Sequence, residues 1–446
     1  MKFHSLVLRN LRRRPLASWL TGLSVSLGVG LFATVGALRE ASEVGFQRSA
    51  SMCDMLVGAK GSSLQLTLNA LYHMGQSQGN LPFEAYQEIA ETPGVLWSVP
   101  LAVGDSYRGH RIVGITGNFF TDLKLLSLGE EDPLEFSSGH GFEYSHQDFV
   151  ALKEELAAEH DDHDGHGAGQ SEGGHDELHD AKMFRAVLGS EAALRTGLKV
   201  GDHFHPSHGV EGVSKSHEDG ESEIVGVLAP TGTPIDRAIL IPIGAYYVLE
   251  GHEPVEGMKE GGARDPRGLS AVMLRTKAGF YRTRIYRSVN DRLDTMAVYP
   301  SVEVRNLFAI LGAGDLILRW ITALIVVVAL IGVMVAIYNT MGSRRREFAV
   351  LRALGARRRT ILGLVTCESA LLALLGGLAG LGFAGALIYA ISGQVQMQTG
   401  VSLSPVFGFA ELQLILAVTL AGALAGLVPA LSAYRTEAAH ILSSNV

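Results

Sequence analysis

The stretch SRRREFAVLRALGARRRTIL, Ser343–Leu362, decides how the rest of the chain is read. From Ser343 to Arg359 it holds seven arginines against one glutamate, and it lies between two long apolar runs, Leu316–Tyr338 and Ile361–Ile391. Lys and Arg concentrate in short loops on the cytoplasmic side of a membrane, so this segment is expected to face inward. Phe348, Leu351 and Leu354 recur at three-residue spacing, which gives a helix one apolar edge able to rest on a membrane surface. Arg345, Arg346, Glu347 and Arg352 stay available to water or to a partner. Gly355 suits a helix end, with Arg357, Arg358 and Arg359 following it. From charge alone two readings stand side by side: an anionic-lipid anchor that sets topology, and a docking face for another protein.

Two further apolar runs, Trp19–Leu38 and Leu412–Leu431, bring the number to four. Each is long enough for a hydrocarbon core that needs about 20 apolar residues. The leader before the first run has five basic and no acidic residues, so it too is expected inside. Arg12, Arg13 and Arg14 would suit a signal peptide, but the apolar run after them is too long and ends in no small-x-small site, so an uncleaved anchor is expected. The layout that follows is a cytoplasmic leader over 1–15, a first span over 16–38, and an extracytoplasmic domain over 39–315. A second span over 316–341, the basic inward segment 342–360 and a third span over 361–391 come next. An external loop over 392–411, a fourth span over 412–431 and a cytoplasmic tail over 432–446 complete it. The expected fold class is an α-helical membrane protein with four transmembrane helices plus an α+β extracytoplasmic domain inserted between helices one and two.

Between Arg39 and Asp315 there are 23 basic and 41 acidic residues, so the net negative charge resides on the external domain and nucleic acid is excluded as its partner. Short runs rich in β-branched residues predict strands at Val95–Val103, Arg111–Thr116, Glu223–Leu228 and Ala238–Pro242, grouped in two lobes, and Leu81–Thr92 reads as a helix. Arg39–Met52 is polar yet carries no Gly-Pro break, which predicts that the first helix continues outward as a stalk, matched by a second stalk from Val302. Cys53 and Cys367 lie at different depths, so no disulfide framework is expected.

Eleven of the sixteen histidines fall between His140 and His217. His160, His163, His166, His175 and His179 alternate with Asp161, Asp162, Asp164, Asp176 and Asp180, and His203, His205 and His208 form a second group. Imidazole with carboxylate suits zinc, Cu(II) or nickel, and zinc is the best single choice. The competing reading is a polar linker over 158–180 whose irregular spacing builds no preformed site. Glu368 is an acid at membrane depth and hence a functional candidate, set against a carboxylate that is paired or hydrogen-bonded between helices. Gly376 and Gly380, with Gly422 and Gly426, have the small-xxx-small spacing of tight helix packing.

Arg346-Glu347 followed by LRALGA, Leu351–Ala356, resembles the cytoplasmic loop of FtsX-like and MacB-like permeases. The leader LVLRNLRRRPLASWLTGLSVSLGVGL, the tail VPALSAYRTEAAHIL and the external EIVGVLAPTGTPIDRAILIPIGAYYVLEG resemble the same family; the His-rich tract departs from it. The resemblance implies that Arg346, Glu347, Phe348, Leu351, Arg352, Leu354 and Gly355 form a coupling helix docked on a cytosolic ABC ATPase. It also implies a homodimer in a bacterial inner membrane, lipid contact, and a periplasmic metal-binding or adaptor protein as a further partner. VGAKGSS at Val57–Ser63 lacks the order of a phosphate-binding G-x-x-x-x-G-K-[ST] loop, so ATP is expected on a separate subunit and no enzyme activity on this chain. The cargo stays open between a transition metal and a lipoprotein, lipid or peptide. A metal-sensing receptor is the third reading, and no HExxH or nucleophile elbow favours a hydrolase.

Overall fold

The computed structural model describes residues 15–127, 130–162, 182–208, 221–248, 268–353, 357–399 and 408–435. It divides into a helical unit, comprising described residues up to 42, 311–393 and those from 408 onward, and a sheet-rich unit over 43–310 with which 394–399 are grouped. Four helices are long and apolar enough to cross a membrane. Helix α1 spans Pro15–Ala50. Its leading proline costs nothing, because the missing N–H would have no intrahelical partner at a first helical position.

The sheet-rich unit opens with β1 (Met55–Ala59), α2 (Ser63–Tyr72), α3 (Phe83–Ala90), β2 (Val95–Tyr107) and β3 (His110–Ile115). It continues through α4 (Asn118–Asp122), β4 (Lys124–Ser127), β5 (Glu130–Pro133), β6 (Phe136–Gly139), α5 (His146–Asp162), β7 (Arg185–Leu188) and α6 (Ser190–Thr196). Then come β8 (His203–Phe204), β9 (Ser207–His208), β10 (Ser222–Leu228), β11 (Ile239–Pro242), α7 (Ile243–Val248), β12 (Ala271–Thr276), α8 (Phe280–Asn290) and β13 (Thr295–Val298). The remaining helices are α9 (Pro300–Ala353), α10 (Arg358–Thr399) and α11 (Phe409–Arg435).

Nine strands run in the order β13-β1-β12-β2-β3-β11-β7-β10-β6, with β8 on β10 and β9 on β2. The long strand β2 joins two sheets. Val95–Leu101 pairs with β12, and Ala102–Tyr107 pairs with β3. The partner changes just after Pro100, which has no N–H to donate to a ladder. The β13-β1-β12-β2 side is wholly antiparallel, whereas the other side contains the parallel pairs β3·β11 and β7·β10. The strands and the helix predicted between 81 and 242 are all present within a residue or two at most ends, except that β2 runs four residues further. The two expected lobes are therefore the two halves of one continuous strand path.

Strands β1, β11 and β13 are buried at every position, as expected of strands covered on both faces. Helix α5 is held by an aromatic set. Phe149 lies edge-on to Phe83 and stacks on Tyr247, Lys153 Nζ sits 4.1 Å from the Tyr247 ring centre, and Tyr86 Oη pairs with His146 Nδ1 at 2.7 Å. Such ring pairs add about 0.5–1.5 kcal/mol beyond area burial.

His73 ends α2 in a left-handed conformation, φ 54. Burial, together with the Arg111 and Arg237 charges, pushes its imidazole down to about 4, and burial also lowers His110 and His146. Each is therefore neutral in the fold and binds fewer protons there than in the unfolded chain. The stability they contribute is full above about pH 6.5 and is lost as pH falls toward 4. Thermal melts of the full chain between pH 7 and pH 4 should show this loss. His73→Asn, which tolerates the left-handed backbone, should reduce its slope by about 2 kcal/mol over the window, allowing for partial exposure.

Candidate coupling segment and membrane-helix packing

Helix α9 is 54 residues long. It runs without a break from the end of β13 through the apolar run 316–338 and on through residues 342–353. Arg346, Glu347, Phe348, Leu351 and Arg352 thus sit on a helical backbone, where three-residue spacing places Phe348 and Leu351 on one side. Their side chains, and Leu354 and Gly355 entirely, lie outside the described residues. The chain is described again from Arg357, and α10 begins at Arg358.

In the helical unit α1 meets α10 at glycines. A Cβ placed on Gly380 would stand 2.6 Å from Ser26 O and 3.0 Å from Val29 Cβ, and one on Gly376 would stand 2.9 Å from Val25 Cβ. One on Gly30 would meet Gly380 O at 3.0 Å. The pairings rise together along both helices, so α1 and α10 run in the same direction. Helix α11 meets α10 nearer its start and in the reverse sense: a Cβ on Gly422 would meet Ala373 Cβ, and one on Gly426 would meet Ser369 Oγ. These directions are those of a chain that crosses a membrane four times. Without a hydrophobic drive between helices in lipid, close backbone approach gains dispersion contact that larger residues forbid.

Glu368 is 7% exposed, inside the packed bundle and next to Ser369, which is fully buried. The hydroxyls of Ser369 and Thr366 donate to carbonyls of their own helix, at Val365 and Leu362 among others, so they cost no unsatisfied donor at membrane depth. Val25, Val29, Ala329, Val333, Val365 and Ala373 form the apolar contact around this level of the bundle.

Helix α5 carries the backbone of His160. Its side chain, and His163, His166, His175 and His179 entirely, lie outside the described residues. Of the second histidine group, His203 Nδ1 stands 3.8 Å from Glu221 Oε1, and His203 and His205 are exposed. Among the described residues, no group of three His, Cys, Asp or Glu side chains could hold a metal ion. Cys53 and Cys367 are both free thiols. Two features escape a reading of the sequence: the aromatic set around α5, and an ion pair between Asp54 and Arg282, whose members are too far apart in the chain for spacing to reveal.

Four apolar helices joined to a sheet-rich unit define a membrane protein. The family model of the FtsX-like permease C-terminal region matches residues 320–438, which take in most of α9 and all of α10 and α11. Residues 320–438 therefore match an FtsX-like permease C-terminal region, a kind of domain found in transporter components that generally partner with a cytosolic ABC ATPase. No curated protein matches the sequence.

The glycine contacts are testable by size. Gly380→Val should destabilise the bundle by about 1–3 kcal/mol through overpacking, seen as a lower melting temperature in detergent. Gly382→Ala, whose added Cβ meets nothing within 4 Å, should melt like the wild type or slightly higher.

Proposed function

We propose that this chain is the permease subunit of an ABC transporter in a bacterial inner membrane. Both termini and the segment 342–360 face the cytoplasm, and residues 39–315 lie outside. Two copies engage two cytosolic ATPases through Arg346, Glu347, Phe348, Leu351, Arg352 and Leu354, with Gly355 ending the docking helix. Nucleotide-driven closure of the ATPases then moves the external domains. The observation that carries this reading is the unbroken α9, which places the arginine-rich docking residues and the first turn after β13 on one helix. An α-helix transmits displacement along its axis because every turn is cross-linked by backbone hydrogen bonds.

The charge asymmetry supports the orientation, since the basic segments and the acidic residues 39–315 belong on opposite sides of the membrane. For cargo, the histidine and aspartate alternation around His160–Asp180 supports zinc or a similar metal, captured for delivery or sensed. The family resemblance favours lipoprotein, lipid or peptide handling instead.

Copurification from membranes should recover a nucleotide-hydrolysing partner. Glu347→Arg should weaken that association about tenfold by opposing the charge pattern of the docking helix; unchanged binding and hydrolysis would remove Glu347 from the interface. For the metal, calorimetry of the full chain should show zinc binding that weakens below about pH 6.5 as imidazoles protonate. Deletion of residues 158–180 should abolish it, and identical binding after the deletion would take this tract out of the mechanism.

A further inference from the structure

The chain enters the sheet-rich unit through the end of α1 and leaves it through the start of α9, and both junctions are fastened to the same short helix, α8. Asp54, in the link between α1 and β1, is paired with Arg282 Nη2 at 2.7 Å, with Arg275 Nη1 3.7 Å away. Its Oδ2 also accepts the Thr276 backbone N–H at 2.9 Å, and Arg282 Nε donates to Thr276 Oγ1 at 3.3 Å. Tyr286, one turn further along α8, stacks on Tyr299 with ring centres 4.7 Å apart and planes 9° from parallel. Tyr299 immediately precedes α9.

Arg282 and Tyr286 are four residues apart and so share one face of α8. The strand register brings the two junctions to the same end of the sheet, since β1 pairs antiparallel with both neighbours, at Met55↔Leu274 and at Leu56↔Val298. The two helices also touch directly, where Phe46 lies edge-on to Phe308 at 5.6 Å. That contact links helix to helix, and Tyr72 of α2 stacks on Phe46 and donates its hydroxyl to Phe46 O, while α8 reaches the junctions of both helices and the strands: it packs on β13, and its Arg282 also bonds Thr276 at the end of β12.

We infer that Arg282 and Tyr286 are positioning residues that make α8 a yoke, joining the two membrane-derived helices into one mechanical input to the sheet. The inference deepens the transport reading above and rests on it for its purpose. Asp54 is mostly buried, its side chain 12% exposed, which protects the ion pair from screening by salt. The stacked tyrosines supply a flat contact that resists tilting of one helix against the other. A displacement arriving through either helix is then delivered to both.

Hydrogen exchange on the full chain in lipid nanodiscs, without nucleotide or partner, tests the yoke. Tyr286→Leu, placed at the α9 junction, should speed amide exchange over residues 49–59 at the α1 junction by about fivefold or more. Arg282→Gln should do the same over residues 299–306. Both effects should persist in a Phe308→Leu background, which removes the direct helix contact, while Tyr286→Phe and the exposed-face change Arg284→Gln should leave both junctions unchanged. If Tyr286→Leu does not fold, Arg282→Lys, which keeps the charge but loses the guanidinium fork, should give a smaller rise at the α9 junction. Exchange that rises only beside the substituted residue would overturn the yoke, as would loss of the effects with Phe308→Leu. Failure to recover an ATPase would sink the transport reading while leaving this measurement decisive by itself.

Discussion

A backbone that crosses hydrocarbon must satisfy its own N–H and C=O groups, and this constraint shapes the chain well beyond the bilayer. In α1 and α9 the helical ladder continues past the apolar residues, to Ala50 at one end and back to Pro300 at the other. These continuations hand the chain directly to β1 and receive it from β13, and the two strands are paired neighbours. The entry and exit of the sheet-rich unit thus lie side by side, on two paired strands.

Inside the helical unit the working currency is distance of approach. Glycines on α1, α10 and α11 bring backbones together where any Cβ would collide, and the hydroxyls and carboxylate at the same depth are turned into the bundle rather than toward lipid. The sheet-rich unit solves the opposite problem. Its strands are buried in water-excluded layers, so it relies on apolar side chains and on a few placed polar anchors. One is Asp236, whose carboxylate accepts the backbone N–H groups of Thr231 and Gly232 in a buried turn.

Much of this was legible in the residues. Apolar runs near 20 residues mark spans because the bilayer has a fixed thickness, and the arginines of 344–359 mark a side because topology responds to positive charge. Short runs of β-branched residues bounded by Gly and Pro marked β3, β10 and β11 for a similarly local reason. β1, β12 and β13 are short and carry only one or two β-branched residues each, too few to stand out from their neighbours. The glycine spacing announced close packing but not its partner, since Gly376 and Gly380 meet α1 while Gly422 and Gly426 meet α10.

By itself the sequence determined the number of apolar helices, the acidic character of the segment between the first two, the histidine-rich tract and the family signature around Glu347 and Leu351, because each is written in neighbouring residues. Only the tertiary structure decided that β2 serves two sheets, that β1 lies beside β13, and that Asp54 meets Arg282 while Tyr286 meets Tyr299. Those contacts join positions far apart in the chain, and nothing local to either partner distinguishes it from other surface arginines, aspartates or tyrosines until the strand register brings them together.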